Sequence, residues 1–428
     1  MQRKTVSKLS GYGLALLLAS MNFAPVCLAE AQRFNAQKSS VRATDTQAPW
    51  LQSSVDLGLD YDSNIFRLAN NDVADTLLGK HKRNDIVLHY GAGVSINRPI
   101  SQQRVLLDLS AVRRLYGRNG FLDHNDIDAR AAWQWVFGKR WHGDVHALQR
   151  QYLARFEDFD AFEAPARDVL TTNEAGFQAL RTLSPRLELG FDYSHRSTRH
   201  DDVDRDTLDR DSNLFGLELF RRAAESKSYL SLRAQVRKVT RPKLKSSAIT
   251  RVDNSYTEYE LSTNARWDWT ERSRIDASVG YATVRHDEFA EHNFSGALWS
   301  LRYLYKFSPQ LDIDASAWRD IDARSSTSAS FMLAQTMMLR STWRYRDKTA
   351  FSGTLAREDR SFEGDPLSAS ASLPAREDII KYAEISASYA QRSFLSYNTA
   401  LRLQQSDSNR AERNYRYYVI SASAALNF

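Results

Sequence analysis

Eighteen times between residues 53 and 428, runs of 12–17 residues alternate apolar and polar side chains, and no helical period competes with that pattern. A period of two puts the two sets on opposite faces of an extended strand. The first run, Ser53–Phe66, sets Val55, Leu57, Leu59 and Tyr61 against Asp56, Gly58, Asp60 and Asp62. The last, Tyr415–Phe428, sets Tyr418, Ile420, Ala422, Ala424, Leu426 and Phe428 against Tyr417, Ser421, Ser423 and Asn427. Between them the runs fall at 84–97, 103–116, 126–138, 141–155, 169–183, 186–199, 211–222, 228–240, 254–269, 273–286, 294–307, 310–323, 329–345, 348–360, 378–391 and 393–405. An even number of antiparallel strands is what a single-chain transmembrane barrel requires. Run boundaries are soft by roughly two to four residues, so sixteen or twenty strands stay open.

The connections keep a two-beat rhythm. Short ones, such as Lys139-Arg140, Ser184-Pro185, Ser308-Pro309 and Arg346-Asp347, alternate with long polar ones such as Arg67–Arg83, Glu157–Asp168, Arg241–Asp253 and Ser361–Glu377. Short periplasmic turns alternating with longer outer loops mark an up-and-down barrel. The short turns follow the even-numbered strands, which puts both termini on the periplasmic side. Aromatic pairs agree: Trp133/Trp135, Trp267/Trp269, Tyr303/Tyr305/Phe307 and Trp343/Tyr345 all sit on the apolar face beside a short turn. Rings gathered at one height form an interfacial girdle.

Composition removes the other classes. Mean hydropathy is −0.52, and nowhere do about 18 apolar residues run together, so helical membrane spans are excluded. Twenty Phe, 19 Tyr and 9 Trp are too many for a solvated coil. Residues 1–29 read as a secretory leader: Arg3, Lys4 and Lys8, an apolar Gly13–Phe23, and a small Ala29 before Glu30. Removing it takes three cations and no acids, and lowers the formal charge from +6 to about +3. It also takes Cys27, the single cysteine, so no disulfide or thiolate cluster is expected. A nucleic-acid partner loses its electrostatic basis. The expected organisation is leader 1–29, a short periplasmic segment 30–52, and a barrel over 53–428.

With the apolar face toward lipid, the lumen is lined by charges of both signs. Asp56, Asp60, Asp62, Glu188, Asp192, Asp312 and Asp314 supply acid; Arg233, Arg237, Arg302, Arg340, Arg344 and Arg402 supply base. Eighteen strands enclose more space than side chains fill, so a water-filled channel is expected unless a loop plugs it. The charges either pair across strands or the six arginines grip an anionic cargo through guanidinium forks. The near balance of acid favours pairing, and the arginines are the candidate cargo contacts.

Catalytic patterns are absent: no Gly-x-Ser-x-Gly, His-Glu-x-x-His or phosphate-loop sequence occurs. His195 and His200 lie near acids but read as residues at a strand-to-loop junction. The acidic run Asp202–Asp206 lacks the glycine (Thr207 stands there) and the closing glutamate (Asn213) of a calcium loop. No enzyme activity, cofactor or metal is expected.

The segment Tyr61-Asp62-Ser63-Asn64-Ile65-Phe66 is more particular than a generic strand. It resembles the opening strand of EpsL-like outer-membrane proteins found with exopolysaccharide operons, within a wider set of β-barrel porins that begin alike. The terminal Phe428, with Leu426 and Ala424 before it, resembles the C-terminal signal read by the barrel-insertion machinery. The resemblance implies an outer-membrane channel in export of an extracellular polysaccharide, with lipopolysaccharide and periplasmic export proteins as partners. The alternatives are a general or substrate-specific diffusion porin and, from a different class, a lipid-modifying hydrolase. In the motif itself, Asp62-Ser63-Asn64 is a turn-prone trio suited to a structural role at the barrel mouth.

Overall fold

The computed structural model describes residues 50–79, 82–158, 165–223, 226–243, 255–287, 293–322, 331–363 and 374–428. The leader and the segment up to residue 49 lie outside the described residues. Eighteen strands follow in chain order: β1 (Leu51–Asp62), β2 (Asp85–Ile100), β3 (Gln103–Tyr116), β4 (His124–Phe137), β5 (Trp141–Leu153), β6 (Val169–Ser184), β7 (Leu187–His200), β8 (Arg210–Arg222) and β9 (Tyr229–Thr240). The second half comprises β10 (Tyr256–Thr270), β11 (Ser273–His286), β12 (Phe294–Lys306), β13 (Leu311–Asp322), β14 (Phe331–Arg346), β15 (Thr349–Glu363), β16 (Glu377–Arg392), β17 (Leu395–Ser408) and β18 (Tyr415–Asn427).

Every strand pairs antiparallel with its sequence neighbours, and β1 pairs with β18, so the sheet is a closed 18-stranded barrel. The seam runs from Ser54↔Asn427 to Asp62↔Val419. It is finished by two backbone bonds, Phe428 N to Ser53 O at 2.8 Å and Ser53 N to Phe428 O at 3.0 Å. β1 starts two residues earlier than the sequence pattern suggests, and Ser63, Asn64, Ile65 and Phe66 lie beyond its end.

Period-two alternation decides which face meets what. Leu57 on β1 is 55% exposed, Val279 on β11 64% and Ile385 on β16 67%, all on the outer face. An apolar belt of this extent has no place in water and fits a hydrocarbon layer. The aromatic girdle lies at the short-turn edge of the belt. Trp267 and Trp269 stack at 5.7 Å, Tyr303 and Tyr305 at 5.9 Å, and Trp343 meets Tyr345 at 5.1 Å. Among the described residues no helix is long and apolar enough to cross a membrane.

The stretch 63–84 departs from the polar loop expected there. It carries a short helix, α1 (Asn71–Leu78), whose N-terminus is capped by the Asn70 side chain accepting from Val73 N at 2.9 Å. Ile65, Phe66, Leu68 and Leu78 pack with Leu122, from the β3–β4 connection, into a small apolar core. The four apolar residues are scattered through a polar segment, so their joint burial shows in no periodicity.

Candidate functional site

The site is the lumen and its mouth at the long-connection end. At that end β1 runs into the Tyr61–Phe66 motif. Asp62 Oδ1 accepts from Asn64 N at 2.8 Å, and Ser63 Oγ accepts from Tyr418 N at 2.8 Å on β18. Asn64 is 0% exposed. Its amide donates to Leu68 O at 2.9 Å and Arg416 O at 3.2 Å, and its Oδ1 accepts from Leu68 N at 3.0 Å. Each buried polar atom thus has a partner, as burial demands. Asp62, Ser63 and Asn64 thus spend their side chains on backbone groups of the motif and of β18.

Arg67 then turns the chain inward. It adopts φ 56°, the left-handed region that non-glycine residues seldom occupy. Its guanidinium lies 3.4 Å over the ring of Tyr417, an inward-facing residue of β18, and donates to Asp62 Oδ1 at 2.9 Å. It also donates to Asn64 O. Burial alone would lower the affinity of this guanidinium for its proton, but the charge of Asp62, with Tyr417 and Glu157, holds it above the usual value. Phe66 is edge-on to Phe156 at 4.9 Å and stacked with Phe121 at 6.3 Å, which ties three connections together.

The β5–β6 connection closes in from the other side. Tyr415 at the inward face of β18 donates its hydroxyl to Glu157 at 3.2 Å and receives Gln404 Nε2 at 3.1 Å. Between the two segments and the β15–β18 wall remains a cavity of about 40 Å³, lined by Phe66, Arg67, Phe156, Glu157, Arg360 and Tyr415 among others. That is room for little more than water. The same connection is anchored by Asp168, fully buried, which receives His200 Nδ1 at 2.7 Å and Arg205 at 3.1 Å. Burial would raise the Asp168 carboxyl, but the His200 hydrogen bond and the charges of His200 and Arg205 outweigh it and hold it below the ordinary carboxylate value.

Below the mouth all six candidate arginines face the lumen, and five are held by carboxylates. Arg233 grips both Asp192 oxygens at 2.7 Å and Glu218 at 3.3 Å; Arg302 meets Asp314 at 2.5 Å. Arg237 meets Glu258 at 3.1 Å, Arg344 meets Asp312 at 2.6 Å and Arg402 meets Glu384 at 2.8 Å. Arg340 reaches Thr354 Oγ1 at 3.4 Å and has no carboxylate partner among the described residues. The Arg233–Asp192 fork passes over Gly216 of β8, where a Cβ would collide with both side chains. The arginines stand on β9, β12, β14 and β17 and converge on no single point. Charge here is paired within the wall, the arrangement that the near balance of acid and base favours.

The two histidines weighed for a hydrolase point to opposite faces of β7. His195 faces outward, 3.0 Å from Asn213 Oδ1, whereas His200 faces inward to Asp168. Asp202 of the acidic run caps the short turn Val203–Leu208, and Asp209 receives His200 N at 2.8 Å. Among the described residues no group of three His, Cys, Asp or Glu is placed to hold a metal ion.

No protein-family model matches the sequence, and no curated protein matches it. Solved structures do. The outer-membrane protein OpdK of Pseudomonas aeruginosa superposes with TM-score 0.50 at 10% identity, covering 88% of this chain and 99% of its own. A second structure of that protein, as OccK1, gives 0.50 at 11% identity with the same coverage. At that identity the likeness shows fold alone: a closed barrel of the outer-membrane porin kind.

Proposed function

We propose that the protein is a passive diffusion pore of the outer membrane for small polar solutes, narrowed at one mouth and oriented with both termini in the periplasm. The observation that carries this reading is the lumen wall itself: five of the six inward arginines are held by carboxylates of neighbouring strands. Such a wall stays wet and fixes register without holding a charged solute tightly. Entry is governed by the segments packed across the mouth.

Polysaccharide export is the finer expectation attached to the Tyr61–Phe66 resemblance. Here that motif packs the mouth, and five of the six arginines that an acidic polymer would need are held by carboxylates. A solute pore accounts for both facts more simply. Purified protein in planar bilayers should give stepwise, ohmic conductance with weak ion selectivity. Silence from the wild type and from variants that loosen the mouth would overturn the pore. A deletion strain that loses extracellular polysaccharide and accumulates it in the periplasm would instead favour export.

A further inference from the structure

The outer face of β7–β11 carries two adjacent rows of opposite character. One row, read straight across the register, is Tyr193, Phe215, Val236, Tyr259 and Thr283; the next row toward the long connections is His195, Asn213, Lys238, Thr257 and Arg285. Phe215, Val236 and Tyr259 are exposed and belong to the apolar belt. Lys238 and Arg285 are also exposed and flank Thr257 on either side. Strands lie about 4.8 Å apart, so the two cations stand roughly 10 Å from one another with a hydroxyl-bearing strand between.

Their charge is not consumed by neighbours. Neither Lys238 nor Arg285 forms an ion pair among the described residues. The nearby outward carboxylate Asp211 is held through both oxygens by Arg199, at 2.7 and 2.8 Å. Arg237, the next residue along β9, faces inward and is paired with Glu258 at 3.1 Å. Cations on the inner face are thus neutralised while those directly outside are left open, at the level where the apolar belt ends.

We propose that Lys238, Thr257 and Arg285 seat the phosphate headgroup of a membrane lipid, whose acyl chains lie along Phe215, Val236 and Leu261. The two cations bracket the phosphate oxygens and Thr257 donates its hydroxyl between them. The apolar row beneath requires that the anion be carried on hydrocarbon, which distinguishes this seat from one for a soluble anion. The inference rests on the barrel lying in a bilayer, as proposed above.

The test uses the purified full chain in detergent, with retention of dioleoyl phosphatidate through delipidation measured by native mass spectrometry. Dioleoylglycerol is the phosphate-free comparison. The double variant Lys238→Gln/Arg285→Gln should retain phosphatidate about tenfold less or weaker still, since basic residues near an anionic surface act additively. Arg357→Gln/Lys381→Gln, on outward cations already paired with Asp359 and Asp407 at 2.9 Å, should retain it as the wild type does. Equal loss in both variants, equal retention of dioleoylglycerol, or displacement by millimolar inorganic phosphate would each overturn the seat. Heat-modifiable migration and bilayer conductance of the same variants report separately on the barrel and the pore.

Discussion

The hydroxyl of Tyr415, the first residue of β18, donates a 3.2 Å hydrogen bond to Glu157 in the connection between β5 and β6. That bond ties β18 to a connection five strands away around the ring. A hydrogen bond to a charged group contributes about 1.5–3 kcal/mol, so Tyr415→Phe should raise the population of the open mouth roughly tenfold or more. Single-channel dwell times measure this directly, and unchanged dwell times would remove the latch from the account.

Phe66 is packed between Phe121 and Phe156, and its truncation should dissolve the small apolar core without touching the barrel. Phe66→Ala is expected to cost about 3–5 kcal/mol locally. The expected outcome is faster proteolytic cleavage within 63–84, with the heat-modifiable gel shift of the barrel retained.

Asp168 makes the mouth sensitive to acid in one direction. Its carboxyl is held below its ordinary 3.8, so it contributes stability at higher pH. That contribution is lost as pH falls from 3.8 through the lower folded value, because in that window only the unfolded segment takes up the proton. Pepsin cleavage of the 154–168 connection should therefore rise steeply below about pH 4. Asp168→Asn should show the loosened segment already at neutral pH; protection equal to wild type would discount the carboxyl.

Gly216 lets the Arg233–Asp192 fork pass across β8. Gly216→Ala should displace Arg233 into the lumen, and Asp192→Asn should free it more gently, at about 1–3 kcal/mol. Both should shift the reversal potential in a salt gradient toward anions. No shift in either variant would mean that Arg233 does not face the permeation path.

The eighteen strands and their rhythm were legible in the sequence because lipid on one side and water on the other punish a slip of one residue on every strand at once. Leu57 against Asp56, or Ile420 against Ser421, carries that signal without reference to any neighbour. The mouth was not legible. Asn64 binds Arg416 O, 352 positions away, and Phe66 meets Phe156; these contacts follow from no local period. The face on which the arginines stand follows from the same period, but the carboxylates that hold them depend on cross-strand register, which soft strand boundaries leave undetermined. α1 was hidden because only Leu78 and its near neighbours turn inward from an otherwise polar stretch.

The seam between β1 and β18 has a consequence for assembly. Seventeen of the pairings join strands adjacent in sequence and can form as hairpins, whereas Ser54↔Asn427 joins the two ends of the described sheet. Until that last pairing forms, both flanks present unpaired backbone, a template for other chains. Closure is also the contact with the largest loop to gather, and so the slowest. Shortening the seam by removing Phe428 should accordingly prolong the open, aggregation-prone intermediate more than it weakens the finished cylinder.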